Sequence, residues 1–497
     1  MMLAAAQESV QPMRLPELLQ SDAAELEGVV VSGMQLDSRK VIPGDVFLAM
    51  PGEQHDGRQF IEQAVANGAA AVLAEAPVAG FVDAVHVPLV EIPELRAEAG
   101  LLASRFYRDP SQSMHVVGIT GTNGKTTTSR LFAQLARACD LHCGVIGTLG
   151  ASLNDEVSES TNTTPDAIAL QQQLALWHGQ GVLAVGMEVS SHALVQGRVN
   201  GVTFETAVYT NLSHDHLDYH GSMANYARAK MRLFAMQGLR NAVINVDDDM
   251  AALIAAGVSE GVQILTYSAS GAGADIRVVD ATFHAGGVRA RLQTPWGEGL
   301  FDSPFPGRFN LANLAAAVAA LVLAGQDLSA VLAAVPRLQP ISGRMQCIPN
   351  DLGIQVVVDY AHTPDALAQA LQALRPHVGG RLITVFGCGG DRDREKRQLM
   401  GRVATTHSDC VIITSDNPRS EDPQAILRDV AAGCVGDFAT EVDRAAAIAL
   451  AIGQAAAGDC VLVAGKGHEP YQLVDGVRMH FSDVEQVSAA LARRQSP

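Results

Sequence analysis

Within GITGTNGKTTT (118–128), the run Gly121, Thr122, Asn123, Gly124, Lys125, Thr126 and Thr127 is a shortened relative of the GxxxxGK(S/T) phosphate loop. A strand-like apolar run precedes it and a helix-like run follows it. In that setting glycines let backbone N–H groups turn inward and the helix N-terminus favours anions. Lys125 then meets the β- and γ-phosphates, and a threonine hydroxyl reaches Mg2+. An ordinary glycine turn with an exposed lysine is the competing reading, and the flanking elements weigh against it.

Acidic and histidine side chains follow. Glu188 ends the strand-like VLAVGMEVSS, at the edge where open α/β sheets bind ligands. NLSHDHLDYHG (211–221) follows another strand-like run and gathers His214, Asp215, His216, Asp218 and His220. Magnesium on phosphates takes one or two protein ligands, mostly oxygen, and keeps waters. Glu188 suits that task, and a histidine is an unusual supplement. The cluster also fits zinc, or histidines with ordinary loop and core roles. The phosphate loop upstream favours Mg2+.

Lys230 lies on the wrong face of its helix. In MANYARAKMRLF (223–234) the helical stripe Met223, Tyr226, Ala227, Lys230, Leu233 and Phe234 is otherwise apolar, with Arg228 and Arg232 opposite. Snorkelling would carry the ammonium to water. Alternatively, burial near metal cations lowers the pKa, and the neutral amine can add carbon dioxide to become an anionic carbamate.

These residues need a scaffold. From about residue 114, strand-like and helix-like runs alternate (MHVVGIT, TTSRLFAQLARA, VLAVGMEVSS, TAVYTNLS, NAVINV), as in a parallel sheet wrapped by helices. IRVVDATFHAGGVRARLQTP (276–295) reads as a β-hairpin excursion, and NLANLAAAVAALVLAG as a long helix closing this unit near Pro340. A second alternating series, IQVVVDYA to CVLVAGKG, occupies 341–497. A smaller unit with short strands (DVFLAM, AAVLAE, VPLVEI) and a helix before YRDPS precedes both. The expected architecture is α/β in three domains: 1–110, 111–340 and 341–497.

At 497 residues the chain suits two to four domains. A net charge of −18 argues against general affinity for nucleic acid or acidic lipid, so an acidic ligand needs local groups. The seven cysteines lack zinc-finger spacing and read as reduced core thiols. No apolar run reaches spanning length and no secretory signal opens the chain, so the expectation is a cytoplasmic protein.

Two further motifs lie in the last unit. GCGGDRDREKR (387–397) does not match GxGxxG, which excludes a nicotinamide reading. Its charged run suits a loop more than a helix start, either solvated or ligand-binding. SDNPR puts Asp416, Asn417, Pro418 and Arg419 after the strand-like CVIITS. It is either a surface turn or a crevice where arginine grips a carboxylate.

Taken in order, GTNGKTT, NTTPD, MEVSSHAL, SHDHLDYHG, YARAKMRLF, GRFNLANLAAA, SGRMQ, DYAHTPDAL, GCGGDRDREKR, SDNPRSEDP and GKGHE strongly resemble the Mur ligases of peptidoglycan synthesis across nearly the whole chain. The resemblance implies ATP-dependent amide ligation through an acyl phosphate. It also implies a uridine-nucleotide-binding first domain, a P-loop ATPase-type central domain and a Rossmann-like C-terminal domain. Gly121 to Thr127, Asn310, Arg344 and His362 would surround ATP. Thr126, Glu188, His216 and a carbamylated Lys230 would serve Mg2+. Lys125, Glu188, His216 and Lys230 would be the catalytic set.

Leu36, Ser38, Glu53, Gln54, His55, Asn162, Thr163, Thr164, Ser190, Gln196 and Arg198 match positions that bind the UDP-N-acetylmuramoyl-dipeptide acceptor. Arg392, Asp416, Asn417, Pro418, Arg419, Gly465 and Glu469 match the amino-acid site. Asn-Pro-Arg resembles the members that add meso-diaminopimelate, whose second carboxylate lysine lacks. Paired charges at that far end would reject lysine. The expected protein is a monomer with small-molecule substrates. The alternatives are an L-lysine-adding relative, a folylpolyglutamate synthase-like ligase, or a P-loop switch ATPase.

Overall fold

The computed structural model describes residues 11–52, 55–81, 85–154, 156–158, 162–271, 273–284 and 286–495. Three main sheets follow one another along the chain. The first has four parallel strands in the order Gly33–Gln35, Asp45–Ala49, Ala71–Glu75 and Leu89–Ile92. The helix Leu95–Phe106 buries Leu95, Leu102 and Phe106 in the same apolar cluster as Val46, Leu48 and Leu73.

The second sheet has eleven strands and a parallel centre. His115–Thr120 lies between Ala184–Glu188 and Thr206–Tyr209, with Cys143–Gly147 and Asn241–Asn245 outside them. These strands read as nearly continuous apolar runs because helices cover both faces. The helix Arg308–Leu323 is buried around most of its circumference, from Asn310 to Leu321. Its alanines allow close approach to the helix Lys125–Ala138, which shares its core cluster. The expected hairpin is present as Ile276–His284 and Gly287–Thr294. It extends to a third strand, Gly297–Ser303, and joins the edge of this sheet.

The third sheet has six strands, parallel except at Gln346–Cys347. Cys460–Ala464 lies between Gln355–Asp359 and Leu382–Phe386, with Cys410–Ile413 beyond. The ends of its strands are tied internally by Arg444 and Asp483, both 0% exposed. The guanidinium donates from Nε and Nη2 to the Asp483 carboxylate at 2.7 Å each, and to the carbonyls of Ser415 and Ala464. One buried ion pair thus holds the two strand ends from which SDNPR and GKGHE depart.

Two sequence expectations need correction. The charged run at 387–397 enters a helix, Glu395–His407, and Arg397 is fully buried, because Glu421 and Asp429 neutralise it. All seven cysteines are free, but Cys347 is exposed and Cys139, Cys410 and Cys434 are half-buried. The core thiols are Cys143, Cys388 and Cys460.

Removing one member of a buried ion pair leaves an uncompensated charge. Asp483→Asn should therefore cost about 3–5 kcal/mol in urea unfolding of the C-terminal unit. A cost below about 1 kcal/mol would mean that the pair is not what ties those strand ends.

Candidate active site

The phosphate loop leaves the carboxyl end of His115–Thr120 and enters the helix Lys125–Ala138. Gly124 caps that helix with φ 87°, a left-handed conformation that favours glycine. A Cβ at Gly121 would lie 1.8 Å from Thr210 Oγ1, so the backbone is pressed against the neighbouring strand end. Lys125 Nζ donates to the carbonyls of Gly121 (2.7 Å) and Thr122 (2.9 Å). Burial pushes its pKa down, partly opposed by Glu188 and Asp215.

Lys230 is 1% exposed, so its amine does not snorkel. It lies on the helix Met223–Met231, capped by Ser222, beside buried Tyr226 and Ala227. Its Nζ donates to the same Gly121 carbonyl at 2.9 Å and sits 4.3 Å from the Tyr226 ring centroid. Burial, reinforced by Lys125, holds its pKa well below the ordinary lysine value. The amine is thereby driven toward its neutral form.

Glu188 is buried at the end of its strand. Its Oε2 accepts from Thr126 Oγ1 (2.9 Å) and Thr148 Oγ1 (3.0 Å), and its Oε1 from Thr148 N (2.9 Å). A Cβ at Gly147 would lie 2.0 Å from Oε1, so that glycine makes room for the carboxylate. His216 Nε2 sits 3.3 Å from Asp215 Oδ2. Burial lowers its pKa, and Asp215 opposes the shift. Burial alone would raise the Asp215 pKa, but His216, His362, Lys396 and Lys125 together hold it down.

A cavity of about 610 Å3 is lined by the phosphate loop, Glu188, His216, Asn310, Arg344 and His362. Residues from the second and third sheets thus share one space. Arg344 Nη2 donates to Thr126 Oγ1 at 3.1 Å, with its guanidinium 4.5 Å from the Tyr360 ring centroid. Asn123 Nδ2 donates to Asp365 Oδ2 at 3.2 Å. Asn310 Nδ2 donates to Pro306 O, and the Nδ1 of His362 meets Tyr360 O at 2.8 Å.

The residues matched to the acceptor fall into two groups. Thr163 lines the cavity and meets Thr148 Oγ1 at 3.1 Å. Thr164 Oγ1 donates to Glu188 O and accepts from Ser190 N, while Arg198 Nη1 donates to Thr164 O. Ser190 caps the short helix Ser191–Val195, Gln196 Nε2 donates to Tyr219 OH, and Asn162 is exposed just before Thr163. Leu36, Ser38 and His55 lie in the first unit and do not line this cavity. Ser38 Oγ is engaged with Gln63, and the His55 ring packs edge-on to Phe60. Glu53 and Gln54 lie outside the described residues.

The residues matched to the amino acid converge at the carboxyl edge of the third sheet. Asn417 Nδ2 donates to Glu469 Oε2 at 2.8 Å. Gly465 has φ 117°, and a Cβ there would lie 2.6 Å from Asp416 Oδ2. Pro418 precedes Arg419, whose Nη1 donates to Gly390 O at 2.7 Å, and Arg392 is exposed on the adjoining loop.

Sequence reasoning missed Lys466, which is fully buried and donates to Asn417 Oδ1 and Glu469 Oε2 at 3.1 Å each. GKGHE contains it, and a lysine between two glycines at a strand end was the available signal. Thr148 and Tyr360 were also missed. Tyr360 OH lies 3.5 Å from Glu469 Oε1, so its ring links that carboxylate to Arg344.

A phosphate loop facing a second parallel α/β sheet across a shared cavity defines a nucleotide-phosphate enzyme, and the chain belongs to the Mur ligase family. The "Mur ligase family, catalytic domain" matches residues 30–107, the "Mur ligase middle domain" 119–321 and the "Mur ligase, glutamate ligase domain" 343–467. Within the family, the chain is similar to proteins named UDP-N-acetylmuramoyl-L-alanyl-D-glutamate--2,6-diaminopimelate ligase. It is 49% identical to that of Ectopseudomonas mendocina, over 97% of this chain and 98% of the relative. It is 48% identical to that of Pseudomonas aeruginosa, over 98% and 99%.

A solved structure bearing the same protein name superposes with a TM-score of 0.74 at 41% identity, covering 98% of this chain and 100% of the other. A Mycobacterium tuberculosis folylpolyglutamate synthase shares the fold alone, with a TM-score of 0.62 at 18% identity over 80% of this chain and 94% of its own.

Since Gly147 leaves space for the Glu188 carboxylate, Gly147→Ala should displace it. Family-type ATP turnover should fall more than about tenfold while the melting temperature shifts by only a few degrees. Unchanged turnover would separate Glu188 from the chemistry.

Proposed function

We propose that this protein is an ATP-dependent amide ligase that joins meso-diaminopimelate to UDP-N-acetylmuramoyl-L-alanyl-D-glutamate, releasing ADP and phosphate, in cytoplasmic peptidoglycan precursor synthesis. The observation that carries this reading is near-full-length identity of 48–49% to relatives named for that ligation. The units 1–110, 111–340 and 341–497 would bind the uridine nucleotide, ATP and the amino acid in turn, in a monomer. Among the described residues no helix is long and apolar enough to cross a membrane.

In this reading Gly121 to Thr127 cradle the ATP phosphates, with Asn310, Arg344 and His362 around the nucleotide. Thr163, Thr164, Ser190, Gln196 and Arg198 hold the peptide end of the acceptor beside Glu188, with Asn162 at its rim. Leu36, Ser38, Glu53, Gln54 and His55 hold its nucleotide end. A D-glutamyl carboxylate oxygen attacks the γ-phosphorus, the bond to ADP breaks, and an acyl phosphate forms. The amine of the incoming amino acid then attacks the acyl carbon, loses a proton and expels phosphate. Lys125 and Arg344 supply fixed positive charge where the phosphoryl oxygens lie, so little reorganisation is needed as charge moves.

Mg2+, when bound, neutralises phosphate charge. The residues that would hold it are Thr126, Glu188, His216 and Lys230 as a carbamate. Thr126 Oγ1 and Glu188 Oε2 already lie 2.9 Å apart in the cavity. Among the described residues no three His, Cys, Asp or Glu side chains converge as a metal site. Such a sparse, mostly oxygen set suits a cation that shares its shell with phosphates and water, not a closed tetrahedral zinc site. The carbamate reading draws support from a buried amine that shares one carbonyl with Lys125.

Selectivity would come from Arg392 and Arg419 toward carboxylates and Glu469 toward an ammonium, with Asp416, Asn417, Pro418 and Gly465 shaping the turn. L-lysine would leave the arginine charge unmatched. Purified protein with ATP and the nucleotide dipeptide should use meso-diaminopimelate with a kcat/KM roughly 10³-fold or more above that for L-lysine. Faster turnover with L-lysine would reassign the amino acid. Native mass spectrometry should find one carbon dioxide adduct, lost on acidification and mapped to Lys230. A bare amine in fully active protein would eliminate the carbamate.

A further inference from the structure

Two loops at the carboxyl edge of the third sheet, 387–394 and 415–421, carry Arg392 and Arg419, and they clasp each other. The Asp391 carboxylate accepts from Ser420 N (3.1 Å) and Ser420 Oγ (2.8 Å). In return Asp391 N donates to Glu421 Oε1 at 2.6 Å and Gly390 N to Asn417 O at 2.9 Å. Arg419 Nη1 closes the contact on Gly390 O at 2.7 Å.

Behind the clasp stands Arg397, 0% exposed. It donates to both carboxylate oxygens of Glu421 (2.8 and 3.1 Å), to Asp429 Oδ2 (2.8 Å) and to Gly389 O (3.3 Å). No slack is left between the loops: a Cβ at Gly390 would lie 1.9 Å from Pro418 O, and one at Gly389 2.8 Å from Arg419 Nη1. Asp391 (φ 51°) and Arg419 (φ 55°) both hold left-handed backbone conformations. For non-glycine residues such conformations persist where the surroundings over-determine them.

We propose that Ser420, Asp391, Glu421 and Arg397 are positioning residues that fix Arg419 relative to Arg392, and so set the selectivity for an amino acid with a second carboxylate. The proposal rests on the amino-acid assignment above. A guanidinium reads a carboxylate through paired N–H groups in a fixed fork, and a misplacement of about 1 Å forfeits that match. Because Arg419 spends Nη1 on Gly390 O, the clasp orients the rest of its fork. None of the four residues lines the phosphate cavity, so their effect falls on one substrate.

The test is steady-state kinetics on the full-length enzyme with Ser420→Ala, Glu421→Gln and the conservative Ser420→Thr, each checked by melting temperature. Ser420→Ala and Glu421→Gln should raise the KM for meso-diaminopimelate about tenfold. The KM for ATP and for the nucleotide dipeptide should stay unchanged, and the preference over L-lysine should fall by the same factor. Ser420→Thr keeps the hydroxyl and should restore selectivity. An unchanged meso-diaminopimelate KM in both variants, or equal shifts in all three KM values, would overturn the proposal. Failure of the unmodified enzyme to use meso-diaminopimelate would instead overturn the functional reading.

Discussion

Two amino groups, Lys125 Nζ and Lys230 Nζ, converge on the single carbonyl oxygen of Gly121. That oxygen can accept from both, but two ammonium charges held this close in a buried site repel, so the pair favours a neutral amine at the more buried position. That position is Lys230, enclosed by Tyr226 and the apolar face of its own helix. Lys125, less buried and on the cavity side, keeps a second acceptor in the Thr122 carbonyl, and in the proposed reaction it is the cation that meets phosphate. The loop geometry that creates this crowding depends on Gly121 lying against Thr210 and on the left-handed turn at Gly124.

From that point the site is built outward through contacts between distant parts of the chain. Thr126 joins Glu188 to Arg344, and Arg344 lies over Tyr360, which reaches Glu469. Glu469 is held in turn by Asn417 and Lys466. The loop 121–127 and the strand-end turns that carry Asn417 and Glu469 therefore share one run of packed and hydrogen-bonded side chains. The buried Arg444–Asp483 pair sets the rigid end of that run, since it anchors the strand ends before Asp416 and Gly465.

The legible parts of this arrangement are those written locally. The phosphate loop, the misplaced Lys230 and the alternation of strands and helices depend on residues close together in sequence. The structure bears out the strands and helices those patterns imply. Thr148 and Tyr360 escaped notice because their side chains are chemically unremarkable without their partners, and Lys466 because only its remote partner, Asn417, joins GKGHE to SDNPR. Arg397 was read only as part of a charged loop, solvated or ligand-binding, because the carboxylates that neutralise it come from Glu421 and Asp429, on other elements. The half-buried cysteines show the converse: Cys139 closes a helix and Cys410 opens a strand, and each packs against a core only from its rim.

In the proposed reaction phosphate is transferred to the acceptor carboxylate before the amide forms. Nucleotide dipeptide carrying 18O in the D-glutamyl side-chain carboxylate tests this most directly, with the released phosphate analysed by mass spectrometry. An acyl phosphate requires one 18O atom to move from the carboxylate to inorganic phosphate for every amide bond made. Phosphate that contains no 18O after amide formation would rule out an acyl phosphate.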